Sequence, residues 1–290
     1  MGPTPTAAQP RIWALTRAPQ GYIDVASELR RLMPRDRWIV ELLAEHQVFT
    51  TEQIAALGFN HLHTARNRLV LLNRRGILAR FRDGVRPGSQ QWRWTLDLIG
   101  AAWLAARDGQ PEPKPVVIRR RINRLAAWPG LAHRLGTNGL FVDLAAHARH
   151  TTSARLGVWW SERTCRTVTG ELVRPDGHGV WTEDGATCSF WLEYDRSTEK
   201  AHQVTAKLDG YAALHRATGL NHMVLFWLAS PGREASVRDQ LAAHPAVTSA
   251  ALTVATAGGG TTQHPAEPVW APLGAKGRVR LAHLLYPPST

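Results

Sequence analysis

The stretches VRPDGHGVW at 173–181 and CSFWLEYDR at 188–196 decide how this chain is read. Each is a short apolar run with the alternation of a strand, and each carries carboxylates where a buried strand would hold Val or Ile. Asp176, Glu193 and Asp195 therefore gather in half-buried strands of a chain whose formal net charge is +12. Acidic groups so placed in so basic a protein call for a local reason.

Outward from these two strands, the pattern fills a domain. A helix, whole or broken in two, is expected over 131–150, with Leu140, Leu144 and Ala148 in register. Strand-like segments follow at 155–163, 172–181 and 187–195, then a helix over 199–217 and a strand at 222–230. A helix at 233–243 and a strand at 247–256 are appended. Gly258–Gly260 and a Pro-rich stretch make a loop before a last strand near 278–286. The order is α-β-β-β-α-β with a further helix and strand.

The front of the chain reads differently. From Asp36 the residues Trp38, Ile39, Leu42 and Leu43 form one apolar stripe. VFTTEQIAALGF offers Thr50 or Thr51 as the N-cap of a short helix ending near Gly58. In HLHTARNRLVLLNRRGIL, Leu62, Ala65, Leu69 and Leu72 share a face, while His63, Arg66, Asn67, Arg74 and Arg75 occupy much of the rest. Gly76 is the expected residue just past that helix. ILARFR and QWRWTL flank the turn formers of DGVRPGSQ as a hairpin. Three helices and a hairpin make a winged helix-turn-helix, whose third helix, 61–75, would enter a major groove. Arg and Asn there can read base edges, and Arg80, Arg82, Arg86 and Arg93 would give the wing a phosphate contact. Trp92 and Trp94 alternate on one face and are read as core. The competing reading is a protein-interaction module with a solvated arginine face.

Charge favours a polyanion. Residues 1–128 hold 20 Lys and Arg against 10 Asp and Glu, whereas the remainder holds 15 against 13. A surface merely rich in arginine is the bland alternative. The expected division is an extension over 1–33, the winged helix over 34–107, a Pro-rich linker over 108–117, a second domain over 118–257 and a terminal loop and strand over 258–290. IRRRINR at 118–124 opens that second domain as a phosphate contact or a solvated helix face. Cys165 and Cys188 have no CxxC or zinc spacing and are read as buried thiols rather than a disulfide. The Pro-rich start MGPTPTAAQPRIW has no apolar core of a signal peptide, and the longest apolar run, 98–106, is far short of a membrane span. A soluble, cytoplasmic protein without membrane insertion is expected.

The element order, with Pro175–Asp176 entering the second strand and Glu193-Tyr194-Asp195 in the third, resembles the PD-(D/E)XK core of restriction endonucleases. That resemblance implies an α/β fold in which two adjacent strands bring carboxylates to one sheet edge. There Asp176 and Glu193 would hold Mg²⁺ or Mn²⁺ for phosphodiester cleavage. Asp195 stands where the motif has its lysine. On the helix 199–217, Val204, Leu208, Tyr211 and His215 form the inward stripe, and Lys207 lies about 60° from Val204 at roughly 100° per residue. Lys207 is the candidate displaced lysine, with Lys200 as second choice; a snorkelling surface lysine is the alternative. His133, Asn138, Glu162 and Tyr211 are possible accessory groups, and Asp143 can supply a further acid.

The winged helix followed by RPDG, LEYDRST and K-x3-Y is similar to the replication-relaxation family of mobile-element proteins, over roughly residues 35–257. That family is related to plasmid mobilisation relaxases of the MobC type. The resemblance implies double-stranded DNA at an origin-type site as partner, together with other transfer or replication proteins, and metal-dependent nicking of one strand. Single-stranded DNA enters as a further partner through Trp159 or Trp160, which cannot both face the same core. A non-catalytic replication or transcription regulator with a degenerate nuclease-like domain is the alternative.

Overall fold

The computed structural model describes residues 13–14, 25–82, 91–198, 200–220, 222–259 and 263–285. It divides into two compact units, Met1–Leu135 and Gly136–Thr290, and each is of mixed α/β structure.

In the first unit a two-residue strand β1 (Trp13–Ala14) and helix α1 (Val25–Arg30) precede α2 (Pro34–His46). Pro34 is suited to the first turn of α2, where its missing N–H costs nothing, and the Asp36 carboxylate accepts from Met33 N at 2.9 Å. Strand β2 (Phe49–Thr50) leads into α3 (Thr51–Gly58). Thr50 is the cap: its hydroxyl oxygen accepts from Gln53 N, and its own N–H donates to the Gln53 side chain. Helix α4 (Leu62–Arg74) buries Ala65, Leu69 and Leu72. It ends as expected at Gly76, whose φ is +69°. Gly76 N donates to Asn73 O and Ile77 N to Leu72 O, the paired bonds that satisfy the last carbonyls of a helix.

Strands β3 (Leu78–Arg82) and β4 (Arg93–Leu96) pair antiparallel in a sheet of order β1-β3-β4-β2. The turn between them, with Arg86, lies outside the described residues. Alternation in β3 separates two faces: Ala79 and Phe81 pack with residues of α5 (Leu98–Arg107) and α6 (Pro115–Ala126), while Arg80 lies against Trp92 and Trp94. Helix α6 was expected to open the second domain. Its buried residues Ile118, Ile122 and Ala126 instead join the core of the first unit.

Helix α7 is continuous over Leu131–His150. The second unit is built on a six-stranded mixed sheet of order β10-β9-β8-β7-β6-β5. Strands β5 (Ala154–Ser161), β6 (Gly177–Glu183) and β7 (Ala186–Asp195) are antiparallel neighbours. Strands β8 (Met223–Leu228) and β9 (Val254–Ala257) continue parallel from β7, and β10 (Ala271–Pro272) closes the edge antiparallel. Helix α8 (Glu162–Val168) interrupts the expected first strand because the Ser161 hydroxyl oxygen accepts from Thr164 N and caps a helix there. Helix α9 (Ala201–Thr218) crosses between β7 and β8, and α10 (Pro231–Ala242) between β8 and β9. One face of the sheet packs Phe141, Phe190, Leu192 and Trp270; the other packs Trp191, Val204, Leu208 and Val237. Cys188 is in the first core and Cys165 in the second, and both are free thiols.

Two expected strands are corrected. Over 247–256 only Val254–Ala257 is extended, because His244 and Pro245 start a short helix, α11 (Pro245–Thr248). Near 278–286, Val279 makes a single bridge to Trp270 before a 3-10 turn at Leu281–His283.

Candidate active site

Side chains at alternate positions of β7 point to opposite faces. Phe190 and Leu192 enter the core with α7, whereas Trp191, Glu193 and Asp195 take the face covered by α9. That parity puts a carboxylate beneath a helix, and α9 supplies its partners. Glu193 is 2% exposed; its Oε2 accepts from Lys207 Nζ at 2.9 Å and its Oε1 from the Tyr211 hydroxyl at 2.6 Å. Lys207 and Tyr211 are four residues apart and so share a helix face. Lys207 is partly exposed, its stem bordering the buried stripe of Val204 and Leu208.

Asp176 stands one residue before β6 rather than within it. Its N–H donates to Leu192 O at 3.0 Å, and its Oδ2 accepts from Tyr194 N at 2.8 Å. The two bonds bracket Glu193, and the Asp176 charge reaches the Glu193 carboxyl. Burial pushes that carboxyl up to about 7, and Asp176 adds to the rise; Lys207 and the Tyr211 hydrogen bond pull the other way. The Tyr211 phenol is driven well above its ordinary range by burial and by the Glu193 charge.

Asp195 has a different set of partners. Its Oδ2 accepts from Arg233 Nε of α10 at 2.5 Å and its Oδ1 from Ser197 N at 2.9 Å. It thereby links two segments at the carboxyl ends of β7 and β8. Lys200 is exposed at the N-cap of α9 and makes backbone capping bonds with Gln203. Of the accessory candidates, Tyr211 joins Glu193 directly. Asn138 is buried on α7, His133 lies on the same helix, and Glu162 is the first residue of α8. Asp143, also on α7, is pushed up by burial, with His264 opposing the rise.

Two carboxylates on neighbouring chain segments are the oxygen-donor set a hard divalent cation takes together with water and phosphate oxygens. Both Glu193 oxygens and Asp176 Oδ2 here accept hydrogen bonds from protein donors. Among the described residues no group of three or more His, Cys, Asp or Glu is placed to enclose a metal.

In the first unit the outward face of α4 carries His63, Arg66, Asn67 and Arg74. His63 Nε2 and Asn67 Nδ2 are 2.9 Å apart, and Arg66 lies 3.6 Å from Glu52 in an exposed pair. Arg75 differs: its Nε donates to Glu28 Oε2 at 2.5 Å and the side chain is largely covered, so α1 already occupies it. Arg80 and Arg82 both place their guanidinium over the Trp92 ring, at 4.3 and 4.6 Å from its centroid. Trp94 is buried, its Nε1 donating to Thr51 at 2.9 Å.

Several groups escaped the sequence reading. Asp36 is fully buried and is held by Arg68 of α4, Nε to Oδ1 at 2.7 Å with a second contact through NH2, which clamps α4 to α2. On the sheet face of Glu193, Trp160, His178, Trp191 and His222 form a row across four neighbouring segments, with the His178 ring 4.5 Å from each tryptophan ring and 5.0 Å from His222. Burial, and then His222, bring His178 down to about 4. A polar residue at a core position of β6 was the available signal. Trp159, on the opposite face, stacks on Phe141 at 5.2 Å.

The family model for replication-relaxation matches residues 40–224, and the chain belongs to that family. Membership points to a role in plasmid or mobile-element replication or transfer. Neither the comparison with curated proteins nor that with solved structures gives a match. No helix among the described residues is long and apolar enough to cross a membrane.

Proposed function

We propose that this protein binds duplex DNA at an origin-type site and nicks one strand during mobile-element replication or conjugative transfer. In this reading the first unit is a winged helix, with α4 in a major groove and the β3–β4 hairpin on the backbone. The second unit is a PD-(D/E)XK nuclease-like domain related to the MobC-type relaxases. The observation that carries the reading is the ion pair between Lys207 Nζ and Glu193 Oε2 at 2.9 Å, with Asp176 beside it. A lysine delivered by the crossover helix supplies the cation that Asp195 cannot.

Mg²⁺ or Mn²⁺ held by Asp176 and Glu193 would supply Lewis-acid polarisation of the scissile phosphate. The chain's own groups account for the rest. Lys207, with three donors at a half-open position, stabilises the charge that builds on phosphate oxygens as water adds and the sugar oxygen leaves. Tyr211 fixes the rotamer of Glu193 from beneath, and the Tyr194 N–H orients Asp176.

The test is supercoiled origin plasmid with the protein and Mg²⁺ or Mn²⁺, scored as open circle against linear. Asp176→Ala and Glu193→Ala should abolish nicking while duplex binding persists. Lys207→Ala should slow nicking while metal binding persists. Nicking at the unaltered rate by the Asp176 variant would refute the site. Linear product would instead indicate double-strand cleavage.

A second reading has its own support. Both Glu193 oxygens already have protein partners, and Asp195 is tied to Arg233. That arrangement suits a non-catalytic DNA-binding regulator whose second unit is a retired nuclease. Absence of nicking by the unaltered protein on its own origin plasmid selects it.

A further inference from the structure

Helix α6 spans Pro115–Ala126 and is divided sharply between two faces. Ile118, Ile122 and Ala126 are buried, against Ala79 and Phe81 of β3 among others. The outer face presents Val117, Arg120 and Arg124 at i, i+3, i+7, all exposed. Like charges at i, i+4 on a helix oppose folding by about 0.2–0.5 kcal/mol, so an Arg120–Arg124 pair is not there for stability. Among the described residues no ion pair engages either side chain, in contrast to Arg107 and Arg75, which have carboxylate partners.

The position of this face matters more than its charge. Residues 79 and 81 of β3 point towards α6, and the intervening Arg80 points to the other side. There Arg80 lies over Trp92, and its cross-strand neighbour Trp94 donates through Nε1 to Thr51 at the start of α3. Helix α3, which α4 follows directly, and helix α6 therefore lie on opposite faces of the β3–β4 sheet.

We propose that the outer face of α6 is a second nucleic-acid surface. It takes the phosphodiester backbone of a second duplex segment while α4 holds the first. The inference rests on the reading that α4 binds duplex DNA. Arginines fit the backbone because each can pair two phosphate oxygens, and the valine between them and the cap of α6 presents no base-reading group. A protein with two such faces brings two stretches of an origin together.

The experiment uses the full chain on an immobilised origin duplex and measures capture of a second, free, labelled duplex. The unaltered chain should capture it. Arg120→Ala/Arg124→Ala should lower capture by about tenfold and flatten the salt dependence of that step by about one unit per arginine, with binding of the first duplex nearly unchanged. Arg120→Lys/Arg124→Lys, which keeps the charge, should retain most capture. Arg66→Ala/Arg74→Ala should weaken the first step instead. Undiminished capture by the α6 alanine variant overturns the inference while leaving the α4 reading intact. Failure of the unaltered chain to bind even the first duplex overturns both. Selective capture of single strands by the unaltered chain also overturns the proposal.

Discussion

Replacing Lys207 by Met would keep the stem that packs beside Val204 and Leu208 and remove only the ammonium. Glu193 then loses the cation that most opposes the effect of its burial. The folded state already holds the Glu193 proton more tightly than an open chain, about 7 against 4.5. A raised carboxyl contributes stability that is fully present below the unfolded value and is lost as pH rises through the folded one. At about 1.4 kcal/mol per unit, the unaltered protein loses on the order of 3 kcal/mol across that window from this group. Lys207 is the charge that most opposes this rise, so its removal lifts the carboxyl further. In Lys207→Met the falling limb should therefore extend to higher pH and deepen by about 1 kcal/mol, the scale of a partly exposed charge contact. The assay is urea unfolding at a series of pH values for the unaltered protein, Lys207→Met, Glu193→Gln and the double variant. Glu193→Gln should remove the difference between the Lys and Met backgrounds. Parallel pH profiles for Lys207→Met and the unaltered protein would refute the electrostatic account, as would a difference that survives in the Gln background.

Other outcomes follow from the same geometry. Arg68→Ala leaves the fully buried Asp36 carboxylate without its cation and should cost about 3–5 kcal/mol, seen as a lower unfolding midpoint; a midpoint within error of the unaltered protein removes the α2–α4 clamp from the account. A methyl group at Gly100 would stand 2.5 Å from the Ile77 carbonyl oxygen, which is backbone and cannot swing aside, so Gly100→Ala should destabilise by about 1–3 kcal/mol in the same measurement. The Cys188 thiol is buried and burial pushes it up to about 12, so native protein should resist alkylation at Cys188 until denatured; rapid labelling at neutral pH would contradict its placement in the core.

What was legible in the sequence was local. A threonine cap and Gly76 as a terminator are decided by bonds within a few residues; of the two candidates Thr50 and Thr51 the cap is Thr50, and Gly76 ends α4 as expected. Lys207 was legible because helical geometry alone puts it beside the buried stripe. Asp195 was not: its partner Arg233 is 38 positions away and reaches it only through the parallel pairing of β7 with β8. The run 247–256 is apolar without clear period, and Pro245 with the His244 cap favours helix where composition suggested a strand. Arg75 looked like its neighbours on α4 because Glu28, its partner, comes from a helix that no pattern linked to it. Helix α6 was misplaced because a Pro-rich stretch marks a connector without saying which core the next helix joins.

Strand β7 is the seam of its sheet, antiparallel to β6 on one side and parallel to β8 on the other. A parallel neighbour demands a crossover, and the crossover here is α9, which carries Lys207 and Tyr211. The Glu193–Lys207 contact is therefore formed only when the chain has travelled over the sheet and returned beside β7. Such non-local pairing is slow, because the loop must close before its contacts compensate. During refolding, the hairpin of β6 and β7 can form early with its carboxylate still wet, and the site matures only as α9 docks. Amide protection should thus rise in the β6–β7 turn before it rises at Glu193 and Leu225, which would make the docking of the crossover helix visible as a separate kinetic step.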